Sequence, residues 1–179
     1  MAFEFDLSES VRDSMVKEIT NAHSSGNFFY SKKFTSEGDA QAIELLLDAA
    51  TAYDEHWLAF EIEYRSLMKS FDAREIPLGE YSTSHISDTA SALYADGQFN
   101  RFYMIAVCNA ASLQGKTVTV FAAQKTPHPK AETTKLIGKI INPEVLKTEL
   151  RSMKLSLNHE LLASHSVLSV KITEPRTTN

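Results

Sequence analysis

Nine residues, Ile43, Leu46, Ala50, Tyr53, Trp57, Phe60, Tyr64, Leu67 and Phe71, recur at alternating spacings of three and four. Such a heptad seam constrains the chain strongly, because only a helical period brings these side chains to one face. The spacing predicts one long helix over about 36–71, a rod of roughly 45 Å at 1.5 Å per residue. Ser36 reads as its N-cap, with Asp39 three residues on. Glu44, Asp48, Glu55, Arg65 and Lys69 fall off the seam. The seam is rich in Trp, Tyr and Phe, where a dimeric zipper prefers Ile, Val and Leu. Tyr and Trp also require partners for their polar atoms. The rod is therefore expected to pack on its own fold or on a subunit rather than form a plain coiled coil, and Trp57 is a candidate contact residue.

The remaining elements follow from period and punctuation. Phe3, Phe5 and Leu7 alternate with Glu4 and Asp6, so residues 1–8 read as an extended arm or edge strand. Val11, Met15, Ile19 and Ala22 mark a helix from about Glu9 to His23, with Gly26 beyond its end. Pro77 and Gly79 break the pattern after the long helix. Ser87 reads as the cap of a short helix reaching about Tyr94, and Asp96-Gly97 as a turn. A second helix, about Gln98–Gln114, carries the stripe Phe99, Phe102, Ala106, Ala110 and Leu113. From Lys116 the period changes to two, which predicts strands over about 116–124 and 166–173. A loop with Pro127-His128-Pro129 follows the first of these strands. Between them Asn142-Pro143-Glu144 opens a helix with Leu146, Leu150 and Met153 inward. The fold class is α+β: a mainly helical N-terminal two-thirds, then a small C-terminal sheet with an intervening helix. Residues 1–179 read as a single domain with a frayed tail over 174–179.

The net charge of −5 hides a split. Residues 1–96 hold seven bases and 18 acids, a net −11, whereas residues 97–179 hold 11 bases and five acids, a net +6. Such asymmetry fits two attracting faces of one fold, an acidic surface meeting a basic one on a second copy, or a polyanion on the basic half. Lys116, Lys125, Lys130, Lys135, Lys139, Lys147, Arg151 and Lys154 could make phosphate contacts, although no helix-turn-helix, RNP or zinc-finger pattern accompanies them. No apolar run approaches the roughly 20 residues of a membrane helix, and the acidic start "MAFEFDLSES" is unlike a secretion signal.

Motifs for catalysis fail on context. Gly115-Lys116-Thr117 ends like a P-loop, but the first glycine's position is Ala110 and the helix precedes the strand. Gly115 is better read as a helix terminator. Ser82-Thr83-Ser84 matches the strand motif of ADP-ribosyltransferases, yet the Glu-x-Glu that follows it there precedes it here, at Glu61 and Glu63; a polar loop is the expectation. His159 and His165, with Glu160, are the nearest approach to a metal set, and no metal or cofactor is expected. Cys108, the sole cysteine, excludes an intrachain disulfide and a zinc knuckle. It reads as a small core residue, although a site assembled around Arg101, Cys108 and a histidine remains an enzymatic alternative. Asn100, Arg101 and Tyr103, among Phe99 and Phe102, are candidates for an anion or subunit contact, or sit on the solvent face.

Residues 94–141 resemble a segment of uncharacterised tailed-bacteriophage proteins. The resemblance is carried by Gly97, Asn100-Arg101, Tyr103, Cys108, Gly115, Val118-Thr119-Val120, Pro129 and Ile137-Gly138. It brings no catalytic residue; it implies a phage-encoded protein of the virion or host cytoplasm. The leading expectation is a non-catalytic, self-associating assembly protein, such as a head or connector subunit. Its partners would be further copies or other virion proteins, with contacts through Lys116, Lys125, Lys130 and Lys135. A nucleic-acid-binding accessory protein is the alternative.

Overall fold

The computed structural model describes residues 5–76, 80–124, 131–154, 156–162 and 168–173. Phe3, Pro77, Gly79, Lys125, Pro127-His128-Pro129, Lys130, His165, the first two residues of the strand expected at 166–173, and the tail at 174–179 lie outside them.

Helix α1 (Glu9–Ser24) buries Val11, Met15 and Ile19 as its period requires. Across the heptad seam the structure departs from expectation: the rod over 36–71 is two helices followed by the start of a hairpin. Helix α2 spans Ser36–Ala52 and α3 spans Glu55–Tyr64. The N-cap of α2 is Thr35 rather than Ser36; its hydroxyl accepts from the Gly38 N–H at 3.0 Å. At the break, Tyr53 leaves helical geometry and the Asp54 carboxylate accepts from the Trp57 N–H at 2.8 Å. A short acidic side chain that captures a backbone N–H starts a new helix in preference to continuing the old one. Arg12 of α1 holds the break in place. Its guanidinium donates to the carbonyls of Ala49, Ala50 and Tyr53 at 3.3, 2.9 and 3.0 Å, where the dangling C-terminal acceptors of α2 need donors. Ser66, at φ +55°, ends α3.

Phe71, the last seam residue, opens strand β1 (Phe71–Ile76). This strand pairs antiparallel with β2 (Glu80–His85), placing Phe71 opposite His85. Ser82-Thr83-Ser84 therefore lies in a strand, not in the expected loop. The two helices expected around Asp96-Gly97 are one, α4 (Ala90–Leu113). Gly97 serves a close approach rather than a turn: a Cβ there would stand 2.8 Å from Leu157 Cδ1.

Helix α4 is the axis of the molecule. It packs against α1, α3, the C-terminal helix α6 (Pro143–Arg151) and strand β5 (Leu168–Ile172). Every residue from Gln98 to Cys108 is buried. At its end Gly115 takes φ +63°, with the Lys116 N–H on the Ala111 carbonyl and the Gly115 N–H on that of Ser112. This is a glycine-terminated helix end of the Schellman type. Strand β3 (Val118–Ala122) follows, then α5 (Ala131–Leu136) and the two-residue β4 (Ile140–Ile141). The sheet order is β4-β3-β5, antiparallel throughout, with Val118 opposite both Ile141 and Ile172. Asn142 caps α6 as expected, accepting from the N–H groups of Glu144 and Val145. The α+β class holds, with its longest helix at α4. Among the described residues no helix is long and apolar enough to cross a membrane.

Candidate functional site

Helix α4 carries three of the sequence's candidates, and all three are inside. Asn100 donates to the Leu168 carbonyl at 2.8 Å and accepts from the Ser169 hydroxyl at 2.7 Å, fastening α4 to β5. Tyr103 accepts from the Asp6 N–H at 3.2 Å and packs on Phe5 with ring centroids 4.4 Å apart. It pins the incoming N-terminal segment. Arg101 has no exposed surface. Its Nε donates to the Leu150 carbonyl at 2.9 Å, its other nitrogens to Asn27 O at 3.2 Å, Arg151 O at 3.5 Å and Gln98 Oε1 at 3.3 Å. Leu150 and Arg151 are the last residues of α6, so the buried cation lies at the negative end of that helix. Burial lowers the guanidinium to about 10, so it stays charged at neutral pH. The expected solvent-facing or subunit-contact role for Asn100, Arg101 and Tyr103 gives way to an internal one: polar residues at the hub tie the surrounding elements to it.

Beside Arg101 lies a cleft of about 610 Å³ between the C-terminal part of α1, α4 and α6, lined in part by Glu18, Asn27, Phe102, Ile105 and Arg151. Its charged groups are matched to one another. Arg151 grips Glu18 through Nε and a terminal nitrogen, and Asn109 donates to the same carboxylate at 2.9 Å. Burial works to raise the Glu18 carboxyl, but the hydrogen bonds from Arg151 and Asn109 outweigh it and hold it below the usual range. Cys108 lies near this cluster, and burial pushes its thiol up to about 12. Arg101 and Cys108 thus do not form an activated pair: the one is engaged by carbonyls, the other is a protonated core thiol.

Among the described histidines, His23 contacts the Tyr30 hydroxyl, His56 lies 3.2 Å from Glu55, His85 packs edge-on against Phe71, and His159 lies 3.2 Å from Glu149. No group of three metal-ligating side chains occurs among the described residues.

The most unusual surface is the outer face of α3. Trp57, Phe60 and Tyr64 stand at i, i+3 and i+7, within an arc of about 60° on the helix, and Tyr53 stands just before its N-cap. Leu58 and Ile62 occupy the opposite arc and are buried. Tyr53, Phe60 and Tyr64 are 47%, 60% and 75% exposed, and Trp57 is half-buried. The rings pair in order: Tyr53 stacks on Trp57 at 4.2 Å and Phe60 on Tyr64 at 5.6 Å, each pair 11° from parallel. The seam was expected to pack on its own fold or on a subunit; Leu46, Ala50 and Leu67 do meet the core, while its middle, from Tyr53 to Tyr64, faces outward. Its missed signal was local: residues 57–64 are apolar on both sides of the helix, which leaves one side without a place in a single core.

A second surface surrounds β4. Ile137, Ile140 and Val145 are exposed, with the exposed Lys135 and Lys139 between and beside them. Leu113, 91% exposed, is next to Ser112, which neighbours the Glu144 carboxylate at the start of α6. Of the sequence's candidate lysines, Lys135 stands on this surface, and the half-buried Lys116 three residues beyond the end of α4. Lys125 and Lys130 are outside the described residues. Compared with known protein families, with curated proteins and with solved structures, the chain finds no match.

Proposed function

We propose that this chain is a non-catalytic structural subunit that self-associates, serving as a tailed-phage virion component such as a head or connector subunit. The outer face of α3 carries this reading. Three well-exposed aromatic rings in a row form an apolar patch of the kind that marks a contact surface. Tyr, Trp and Phe are also the residues enriched where protein interfaces bury their centres. The virion context rests on the resemblance of residues 94–141 to phage proteins. The neutral thiol of Cys108 and the carbonyl-bound Arg101 favour a structural over a catalytic use of the hub.

Light scattering across a concentration series, at low and at moderate salt, tests the reading. A mass that grows with concentration is expected. A strictly monomeric chain at high concentration in both salts removes self-association.

A further inference from the structure

We infer that the cleft between α1, α4 and α6 binds a small organic oxyanion, a carboxylate or a phosphate ester, in the field of Arg101. The inference stands apart from self-association and holds for a monomer. It starts from a charge count. Glu18 and Arg151, the charged groups open to the cleft, balance each other through Arg151 Nε and Nη2. Arg101, at the inner wall, is left over as a buried cation without a counter-charge. Its partners are three backbone carbonyls and one amide oxygen. Burial lowers its guanidinium, and among the described residues no carboxylate acts against that. Buried charges are ordinarily paired, because neutral acceptors return only part of the cost of removing a cation from water. An anion in the cleft supplies the missing charge.

The wall also offers a direct donor. Glu18 holds two nitrogens of Arg151 and leaves Nη1 without a hydrogen-bond partner, on a side chain that is 47% exposed. That nitrogen can make a charge-assisted bond to an oxyanion. Arg101 has no exposed surface and acts through its field. The carbonyls that end α1 and α6 would repel an anion if they were open, but they are engaged. Asn21 O accepts from the Ser25 N–H at 3.0 Å and from its hydroxyl at 2.8 Å, and Ala22 O from the Asn27 N–H at 2.8 Å. Leu150 O and Arg151 O turn to Arg101 itself. A cleft of about 610 Å³ is larger than a bare phosphate fills and suits an anionic group carried on a small molecule.

Benzoate, benzamide and inorganic phosphate separate charge from shape in isothermal titration calorimetry at low salt. Benzoate or phosphate is expected to bind. Benzamide, with benzoate's shape but not its charge, is expected to bind at least about tenfold more weakly than benzoate where benzoate binds. Binding of phosphate alone points to a phosphate ester as the natural ligand, and of benzoate alone to a carboxylate. Asn27→Asp then places a carboxylate at the cleft, on a residue whose carbonyl lies 3.2 Å from Arg101 Nη2. It is expected to weaken anion binding by about tenfold or more. Ser25→Asp takes its place if circular dichroism shows Asn27→Asp unfolded. Gln114→Glu makes the same charge change roughly 20 Å along α4 and is expected to bind anions as wild type does.

No heat from either anion at about 10 mM overturns the inference. So does benzamide binding as tightly as benzoate, and so does an aspartate variant of the cleft that binds anions like wild type. None of these results bears on self-association, which light scattering reads separately.

Discussion

Arg101→Met is the sharpest test of how the fold is held. The guanidinium makes four hydrogen bonds, one short, to Leu150 O at 2.9 Å, and three longer, at 3.2, 3.3 and 3.5 Å. A bond to a charged donor contributes about 1.5–3 kcal/mol net, and the long ones less. Against this stands the cost of burying a cation for which no carboxylate partner is described, a cost the methionine would relieve. Two acceptors decide the balance. Asn27 and Arg151 are exposed residues whose carbonyls can turn to water, but Gln98 and Leu150 are fully buried. Leu150 O keeps the Met153 N–H at 3.4 Å but loses its short charge-assisted bond, and Gln98 Oε1 is left without its donor; each loss costs about 1–3 kcal/mol. The expected net loss is therefore about 3 kcal/mol, read from urea unfolding followed by circular dichroism. For a chain of this size that lowers the melting temperature by roughly 6–12 °C. Arg101→Lys keeps the charge but not the fork of donors, and is expected to lose about half as much. If Arg101→Met unfolds within about 0.5 kcal/mol of wild type, the buried cation's desolvation cancels its hydrogen bonds and the bracing argument fails.

Asp96 on α4 behaves in the opposite sense. Burial, aided by the nearby Glu55 charge, raises its carboxyl from the ordinary 3.8 to about 6. The ionised form is disfavoured in the fold, so stability falls as pH rises from about 3.8 through about 6. Asp96→Asn is expected to stabilise at pH 7.5 by about 1 kcal/mol, with the gain gone near pH 4; a destabilised variant at pH 7.5 contradicts the shift. Cys108, buried and pushed up to about 12, is expected to resist a disulfide reagent at pH 8 for hours. In urea it should release one thiol at once; rapid labelling of the native chain would show that the core around α4 opens.

Several local signals that needed no distant partner were read correctly, although the caps at Thr35 and Asp54 were not. The period of α1, the Asn142-Pro143-Glu144 opening of α6, and the left-handed Gly115 at the end of α4 depend on neighbours within a few residues. Gly97 shows the opposite case. Its local chemistry is that of a turn, but the space it leaves is for Leu157, sixty residues on. Strand β4 escaped notice because two residues carry no period. The hairpin β1–β2 was hidden under the tail of the heptad seam, where Leu67 and Phe71 kept the helical spacing after the helix had ended.

The candidate site divides in the same way. The chemical character of Arg101, Asn100 and Tyr103, polar groups set among aromatic rings on a helix, was legible in the sequence. Their burial was not, because it depends on carbonyls from Asn27, Leu150 and Leu168 that lie far along the chain.

By itself the amino-acid sequence determined the α+β class, the period of α1, the charge split and the terminators at Gly26 and Gly115. Those rest on backbone sterics and short-range hydrogen bonds, which act before any tertiary contact forms. Only the tertiary structure decided which side of the seam meets the core. Leu58 and Ile62 fill the space against α4, and a helix has one side to give it. The rings of Tyr53, Phe60 and Tyr64 are left facing out.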